Sequence, residues 1–420
     1  MTTQTNSLTL NFANDLGYSS IKGSINDQAL RVPSLIAIQR PQNIAKPVTF
    51  DQVADQDHYF AHLLEHMDVS ISSPAVKLSG RFFVGERAVT EGISTRAFDV
   101  NDFTGKSDSD LSLILTLSTL ANFAVKQAYD QSLDLTQQLD VTVNMATALP
   151  ITEGQRSQAT ENYARRYFNG PHIVTVQNFA QPIVVKLTFN RVYVGLEGEL
   201  AQIAINNAPT LQPKLAQALM ADFGAHYPDF KDQVDAQALT GLQNVLGIDV
   251  GEGTTDYPVI VNGHANPNAS TSLNAGYGTA LQEAVGLLQQ AGMNIRTRGE
   301  LNRFLSQQVS PLAKARQDFA REKVYDQLTD LADQIIDTVS ETLAHANADL
   351  DVVYLYGGGS TPLLTATDIR DRLMAKLRGF AGGFDIPVVC VPETFADQLN
   401  LDGLQAVLSA ELGFTAKDLK

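Results

Sequence analysis

The sequence holds a single cysteine, Cys390, so no disulfide can close within the chain, and a reducing cytoplasm suits it. Its neighbours, "IPVVCVP", read as a buried strand, which makes a packed thiol the expected state rather than a nucleophile. Positive charge is also in short supply: 30 lysines and arginines stand against 46 aspartates and glutamates, a formal net charge of −16. A surface that acidic argues against direct, non-specific binding of DNA or RNA, which needs clustered basic groups. No uninterrupted run of about 18 apolar residues occurs, so no membrane span is expected. The start, "MTTQTNSLTLNFAND", has neither a basic stretch nor a long apolar one, and no secretory signal is expected from it. The seven histidines form no convincing ligand set. His58, His62 and His66 are spaced four apart and would share one face of a helix, but beside aspartates and glutamates they read as a solvated face rather than a metal site.

What remains is an ordinary globular composition, 44% hydrophobic and 18% charged over 420 residues, long enough for two lobes. The chain opens with "SLTLNFANDLGYSSIKGSI", an apolar strand, a glycine-containing turn and a second strand. "RFFVGERAV" reads as strand, turn and strand, and residues 107–131 as a capped helix. "QLDVTVNMATALP" reads as a strand, "ITEGQRSQATENYARRYFNG" as a helix, and "HIVTVQNFAQPIVVKLTFNRVYVGLEGE" as a β ribbon. Residues 200–243 read as helices punctuated by proline; then "NVLGIDVGEGTTDYPVIVNGHA" repeats the strand, glycine-rich turn and strand. A helical region over 277–348 precedes "DVVYLYGGGSTPLL", a buried strand running into three glycines and a helix start, and the last helix is expected to begin near Asp402. The repeat is one of architecture: near 8–25 and near 245–262, an apolar strand enters an Asp-x-Gly turn and leaves as a second strand. Two lobes of that design would present the two tips to one another across a cleft.

The turns carry the chemistry. In "DLGYSSIK", Gly17 permits a positive φ and close approach to a ligand, while the amides that follow form an anion-binding nest with Tyr18, Ser19 and Ser20 along it. Lys22 would point back at the tip as a point charge for a phosphate, and Asp15 would hold metal-bound water. "DVGEGTTD" repeats the logic: Asp249 opens the turn, Gly251 and Gly253 allow close approach, and Thr254 and Thr255 add hydroxyls. Gly357, Gly358 and Gly359 would let a flat base or ribose lie on bare backbone. The acid of Glu252, so near any phosphate, has no evident role.

In this order the motifs resemble the actin, heat-shock-chaperone and sugar kinase superfamily. The first turn resembles its phosphate-1 loop, Asp249–Asp256 its phosphate-2 loop, and Gly357–Ser360 its adenosine motif. "TALP" (Thr147–Pro150) and "RVYVGLEGELA" resemble segments of the plasmid-segregation actins, the ParM/StbA branch. The resemblance implies that Glu197 positions the attacking water, with Glu199 its nearest competitor, and that Gly276 and Gly278 of "SLNAGYGTAL" belong to a nucleotide loop. Leu196 stands where the branch has proline. The fold implied is α/β, two ribonuclease-H-like lobes flanking a nucleotide cleft, with domain I over 1–245 plus 387–420, domain II over 246–386, and hinges near 148–150 and 390–400. Also implied are ATP and ADP as ligands; Mg²⁺ held through water by Asp15 and Asp249; head-to-tail self-assembly; and a DNA-binding adaptor at a centromere-like site, with no membrane contact. Glu252 would lie among the phosphate-binding residues, and the acidic charge suits contact with DNA through the adaptor alone. A chaperone ATPase, a sugar or acetate kinase and a cell-shape actin are the competing readings. The first would need a β substrate domain, the second a catalytic aspartate at a second pocket, the third an amphipathic start or apolar membrane loop.

Overall fold

A computed structural model describes residues 6–99, 105–346 and 349–419. The first five residues of the polar start and positions 347–348 of the expected helical region lie outside it. The chain divides into two units. The first comprises Met1–Leu149, Glu153–Leu196 and Leu404–Lys420; the second comprises Pro150–Thr152 and Glu197–Gly403.

The first unit is built on a ten-stranded sheet. Its strands are β1 (Ser7–Leu16), β2 (Ser20–Ile25), β3 (Gln28–Pro33), β4 (Leu35–Ile38), β5 (Asp68–Ser72), β6 (Arg81–Val84), β7 (Thr95–Ala97), β8 (Leu139–Leu149), β9 (His172–Val176) and β10 (Ile183–Leu196). They lie in the order β3-β2-β1-β8-β10-β9-β5-β6-β4-β7. β1, β8 and β10 run parallel, while β2 and β3 fold back antiparallel on the β1 edge. The helix Asp110–Asp130 packs on this sheet, its start capped by the Ser109 hydroxyl, which accepts from Leu111 N at 3.2 Å. By length and composition that helix could cross a membrane, yet 83% of its most apolar window is buried, with Leu113, Leu117, Leu120 and Ala124 inside the first unit's core. It is a core helix.

Among the described residues the second unit forms a seven-stranded sheet: β11 (Val245–Val250), β12 (Thr255–Tyr257), β13 (Val259–Val261), β14 (His264–Ala265), β15 (Thr271–Leu273), β16 (Val352–Tyr356) and β17 (Val388–Cys390). β11 pairs antiparallel with β12 and β13 and parallel with β16, which pairs parallel with β17. Side chains alternate along β16 between two cores. Val353 and Leu355 join Leu246, Ile248 and the helices Tyr277–Gln290 and Pro311–Ala346. Val352, Tyr354 and Tyr356 join Ala201, Ile205, Leu215 and Phe223 of the helices Glu199–Leu211 and Pro213–His226. Covering both faces of a parallel sheet with helices is what strands this apolar require.

Five expectations change. The helices over 200–243 cover the β16 face, so the division falls at Leu196/Glu197 and Gly403/Leu404 rather than at 245/246 and 386/387. The last passage between units accordingly follows Gly403, outside the expected hinge at 390–400. "RFFVGERAV" is a strand followed by the short helix Glu86–Thr90, because Gly85 turns the chain at φ 63 and Ala88 is the residue buried. The helix expected over 151–170 is broken into Ile151–Gly154 and Ala159–Phe168. The first histidine helix ends at Ala61, with His62 its C-cap and His66 beyond it; the His58 and His62 ring centres lie 4.6 Å apart with the planes tilted by 48°, and no cluster of three metal-ligating side chains occurs among the described residues.

Candidate functional site

In the first unit, β1 and β2 pair with Asp15 opposite Lys22 and close their turn through a hydrogen bond from Gly17 N to Ser20 O at 3.1 Å. A Cβ on Gly17 would lie 2.8 Å from that same oxygen, so glycine is required for close approach. Gly17 is not among the positive-φ glycines, contrary to expectation. Ser34 braces the turn from β3's end: its N–H donates to Ser19 O at 2.9 Å and its hydroxyl to Gly17 O at 2.7 Å. Asp15 is 5% exposed and pairs with Lys22 at 3.2 Å, so the lysine charge sits on the aspartate beside the tip. Arg31 donates to the Ser20 hydroxyl at 3.2 Å, and Ser19 is exposed. The Tyr18 ring lies edge-on to Phe98 and under the buried Lys106 ammonium, 4.7 Å from the ring centre.

The second unit repeats this turn by hydrogen bond as well as by sequence. Asp249 pairs opposite Asp256, and Gly251 N donates to Thr254 O at 2.9 Å. In both turns the glycine two after the aspartate bonds to the carbonyl three residues on, and the strand partner lies seven after the aspartate. Lys22 and Asp256 therefore hold equivalent positions. Asp256 is structural: its carboxylate accepts from Thr254 Oγ1 at 2.9 Å, Ile151 N at 3.0 Å and the Ser272 hydroxyl. Thr255 Oγ1 donates to Ala275 O at 2.8 Å. Both threonine hydroxyls thus spend their protons inside the protein instead of pointing at a ligand. Glu252 turns away as well, pairing with Arg298 at 2.7 Å. Gly276 and Gly278 sit at the start of the helix Tyr277–Gln290, against this turn: Tyr277 N donates to Gly251 O and Gly278 N to Glu252 O. A Cβ on Gly276 would lie 2.6 Å from Gly251 O, so this glycine makes the contact possible.

β16 delivers the three glycines. Gly357 has φ 91, and a Cβ there would reach 2.7 Å from Val250 N and press on the Asp249 carboxylate. Gly359 N donates to Val250 O at 2.8 Å, and Ser360, fully buried, returns its hydroxyl proton to Gly357 O at 2.8 Å. Only Gly358 offers an open face: a Cβ on it would meet nothing nearer than Asp397 Cβ at 3.5 Å. After β10, Glu197 sits half-buried in a turn whose next residue, Gly198, has φ 82. Glu199 opens the following helix; burial pushes its carboxyl up, and its Oε1 is buried with no hydrogen-bond partner. Asn400, in the helix Leu399–Ser409, accepts from Gly198 N at 2.9 Å and donates to Asp249 Oδ2 at 2.7 Å.

Two family models match this chain: actin-like proteins, N-terminal domain, over residues 13–199, and archaeal actin homologue MreB-like, C-terminal, over residues 247–368. The chain has the actin fold, and its residues 13–199 match the actin-like N-terminal domain. The solved structures agree on the fold. The actin-like protein Alp7A is 16% identical, with 96% of each chain covered and a TM-score of 0.62. Bacillus thuringiensis ParM with ATP is 17% identical over 96% of this chain and 100% of that one, at a TM-score of 0.54. Ta0583, an archaeal actin homolog, is 13% identical over 96% and 100%, at 0.56. No curated protein matches significantly.

Each unit gathers its own share of the expected residues. Asp15 to Lys22 form one braced turn. In the other unit, Asp249, Gly251 to Thr255, Gly276, Gly278, Gly357 to Ser360 and Glu197 fall on neighbouring loops. Asp15 and Asp249 are nearly buried carboxylates, 5% and 6% exposed, each a hard oxygen donor of the kind that holds the water ligands of a Mg²⁺ ion. The bare face of Gly358 is a cradle that any side chain would fill. Sequence reasoning missed Ser34, Arg298, Lys106 and Asn400. None has a motif, and each acts from a distant point in the chain.

Proposed function

We propose that this actin-like protein binds and hydrolyses ATP, assembles head-to-tail into filaments and, through a DNA-binding adaptor at a centromere-like site, segregates plasmid DNA in the cytoplasm. The observation that carries the reading is the repeated turn, Asp-x-Gly closed on the carbonyl three residues after the glycine, present once in each unit. Such turns bring backbone amides close to an oxyanion without side chains in the way. The first would take phosphate oxygens with Lys22 as the nearby cation, the second with Gly253 and Thr254, and Gly358 would carry the adenosine. Asp15 and Asp249 would hold Mg²⁺ through water, and the ion would offset phosphate charge. Glu197 would orient the attacking water, since phosphoryl transfer needs positioning more than covalent help. The ATP-bound ParM among the structural neighbours supports the ligand, and the name of a non-polymerisable ParM mutant supports assembly as a property to test. A heterologous contact that does not close yields a filament, which is physically consistent with head-to-tail growth.

A second reading of the catalytic acid has its own observation: Glu199, with an unpartnered buried oxygen and a raised pKa, is poised for a proton. Steady-state phosphate release separates the two. Glu197→Gln is expected to lower hydrolysis on the order of a hundredfold, and Glu199→Gln by much less. The reverse ranking would transfer the role to Glu199. A wild-type protein that neither binds nor hydrolyses ATP would remove the reading entirely.

A further inference from the structure

The geometry points to Asn400 as a positioning residue for hydrolysis, tying the turn that carries Glu197 to the aspartate of the second phosphate-binding turn. This rests on the proposal that Glu197 orients the attacking water. The Asn400 amide bridges two groups that cannot be exchanged. Gly198 N–H only donates and reaches Oδ1 at 2.9 Å; the Asp249 carboxylate only accepts and takes the Nδ2 proton at 2.7 Å. A flipped amide would lose both bonds, so its orientation is fixed by its partners.

The same residue is gripped from its other side. Tyr356 Oη donates to Gly198 O at 3.2 Å. Tyr356 is the last residue of β16, directly before the three glycines. Both polar groups of the Gly198 residue are therefore fixed, one through Asn400 to the phosphate turn and one through Tyr356 to the adenosine loop. The backbone permits nothing but glycine here: φ is 82, and a Cβ would lie 2.7 Å from Pro258 Cγ. Gly403, one turn after Asn400, lets this helix lie on the Leu200 backbone; a Cβ there would come 2.6 Å from Leu200 C. Glu197, adjacent to the clamped residue, inherits a set position relative to Asp249. A misplacement of about 1 Å in such an arrangement costs on the order of a hundredfold in rate.

The test is a double-mutant cycle on phosphate release by the full chain, read as kcat and KM, with a thermal melt of each variant. Asn400→Ala is expected to lower kcat at least tenfold with KM for ATP changed less than threefold, and to add nothing further in a Glu197→Gln background, because both changes disable one device. Tyr356→Phe, which removes one hydroxyl and keeps the packing, is expected to lower kcat in the same non-additive way and stands in if Asn400→Ala melts too early to assay. A normal kcat in these variants, or a loss that multiplies with Glu197→Gln, overturns the inference while leaving the role of Glu197 intact. A silent Glu197→Gln in a protein that still hydrolyses ATP overturns that role and the inference with it.

Discussion

Replacing Gly357 and Gly358 one at a time by alanine separates the demands of the fold from those of a ligand. At Gly357 the methyl enters a left-handed position, φ 91, which costs an L-residue about 1–2 kcal/mol. It also overlaps Val250 N at 2.7 Å and the Asp249 carboxylate, which adds about 1–3 kcal/mol of overpacking. Together these are roughly 2–5 kcal/mol, enough to lower the melting temperature by many degrees in a melt monitored by circular dichroism. Gly358, one residue on, is exposed, and its new Cβ would make only an ordinary contact with Asp397 Cβ at 3.5 Å. The folded state loses nothing there and the unfolded chain loses freedom, so stability should hold or rise by less than about 1 kcal/mol. If adenosine lies on that bare backbone, the methyl pushes it off, and the Kd of a fluorescent ATP analogue should rise at least tenfold, about 1.4 kcal/mol. A Gly358→Ala protein that melts and binds nucleotide like the parent would refute the assignment of this loop to adenosine. A Gly357→Ala protein of full stability would refute the packing argument.

Other outcomes follow from single groups. Arg298→Glu sets a second carboxylate against Glu252, loosening the helix Arg298–Ser306 from the turn that Glu252 belongs to; stability should fall by about 1 kcal/mol and ATP affinity with it, whereas Arg298→Lys keeps most of both, by melt and titration. Burial pushes the Asp402 carboxyl up to about 6 from 3.8, so between these values the folded state binds the proton that the unfolded state releases. Stability therefore falls as pH rises through about 6, and Asp402→Asn should remove that slope and add about 1 kcal/mol at pH 7.5 in denaturant titrations, after discounting for partial exposure. Burial likewise pushes the Cys390 thiol up to about 12, so an aromatic disulfide reagent should label it only after unfolding, and fast labelling of the native protein would contradict the packed strand.

The two hairpins were legible because they depend on local chemistry. An apolar strand, Asp-x-Gly and a second strand leave few alternatives, and the matched bonds from Gly17 and Gly251 follow from that spacing. Asp256 differs from Asp249 in being held by Thr254 and Ser272, which lie close to it in the chain. Glu252 was opaque because its partner is 46 residues away on another helix. Asn400 was opaque for the same reason: it meets Gly198 across 202 residues and Asp249 across 151. The last helix begins at Leu399 rather than near Asp402, and that extra turn is what places Asn400 on it. The boundary near 245 was misplaced because nothing in composition changes at Glu197. What assigns Ala201, Leu215 and Phe223 to the second unit is their packing on Tyr354 and Val389, a tertiary fact. Hydroxyls counted as ligand donors at Thr255 and Ser360 proved to be bonds within the turns, which a residue list cannot distinguish.

The most direct measurement of the central claim is sedimentation of the full-length protein with Mg²⁺ and ATP, a non-hydrolysable ATP analogue, ADP or no nucleotide. Polymer is expected in the pellet with ATP and with the analogue, and far less with ADP or without nucleotide. Equal amounts in the pellet under all four conditions, or none under any, would contradict an actin-like protein whose two braced turns bind ATP to drive assembly.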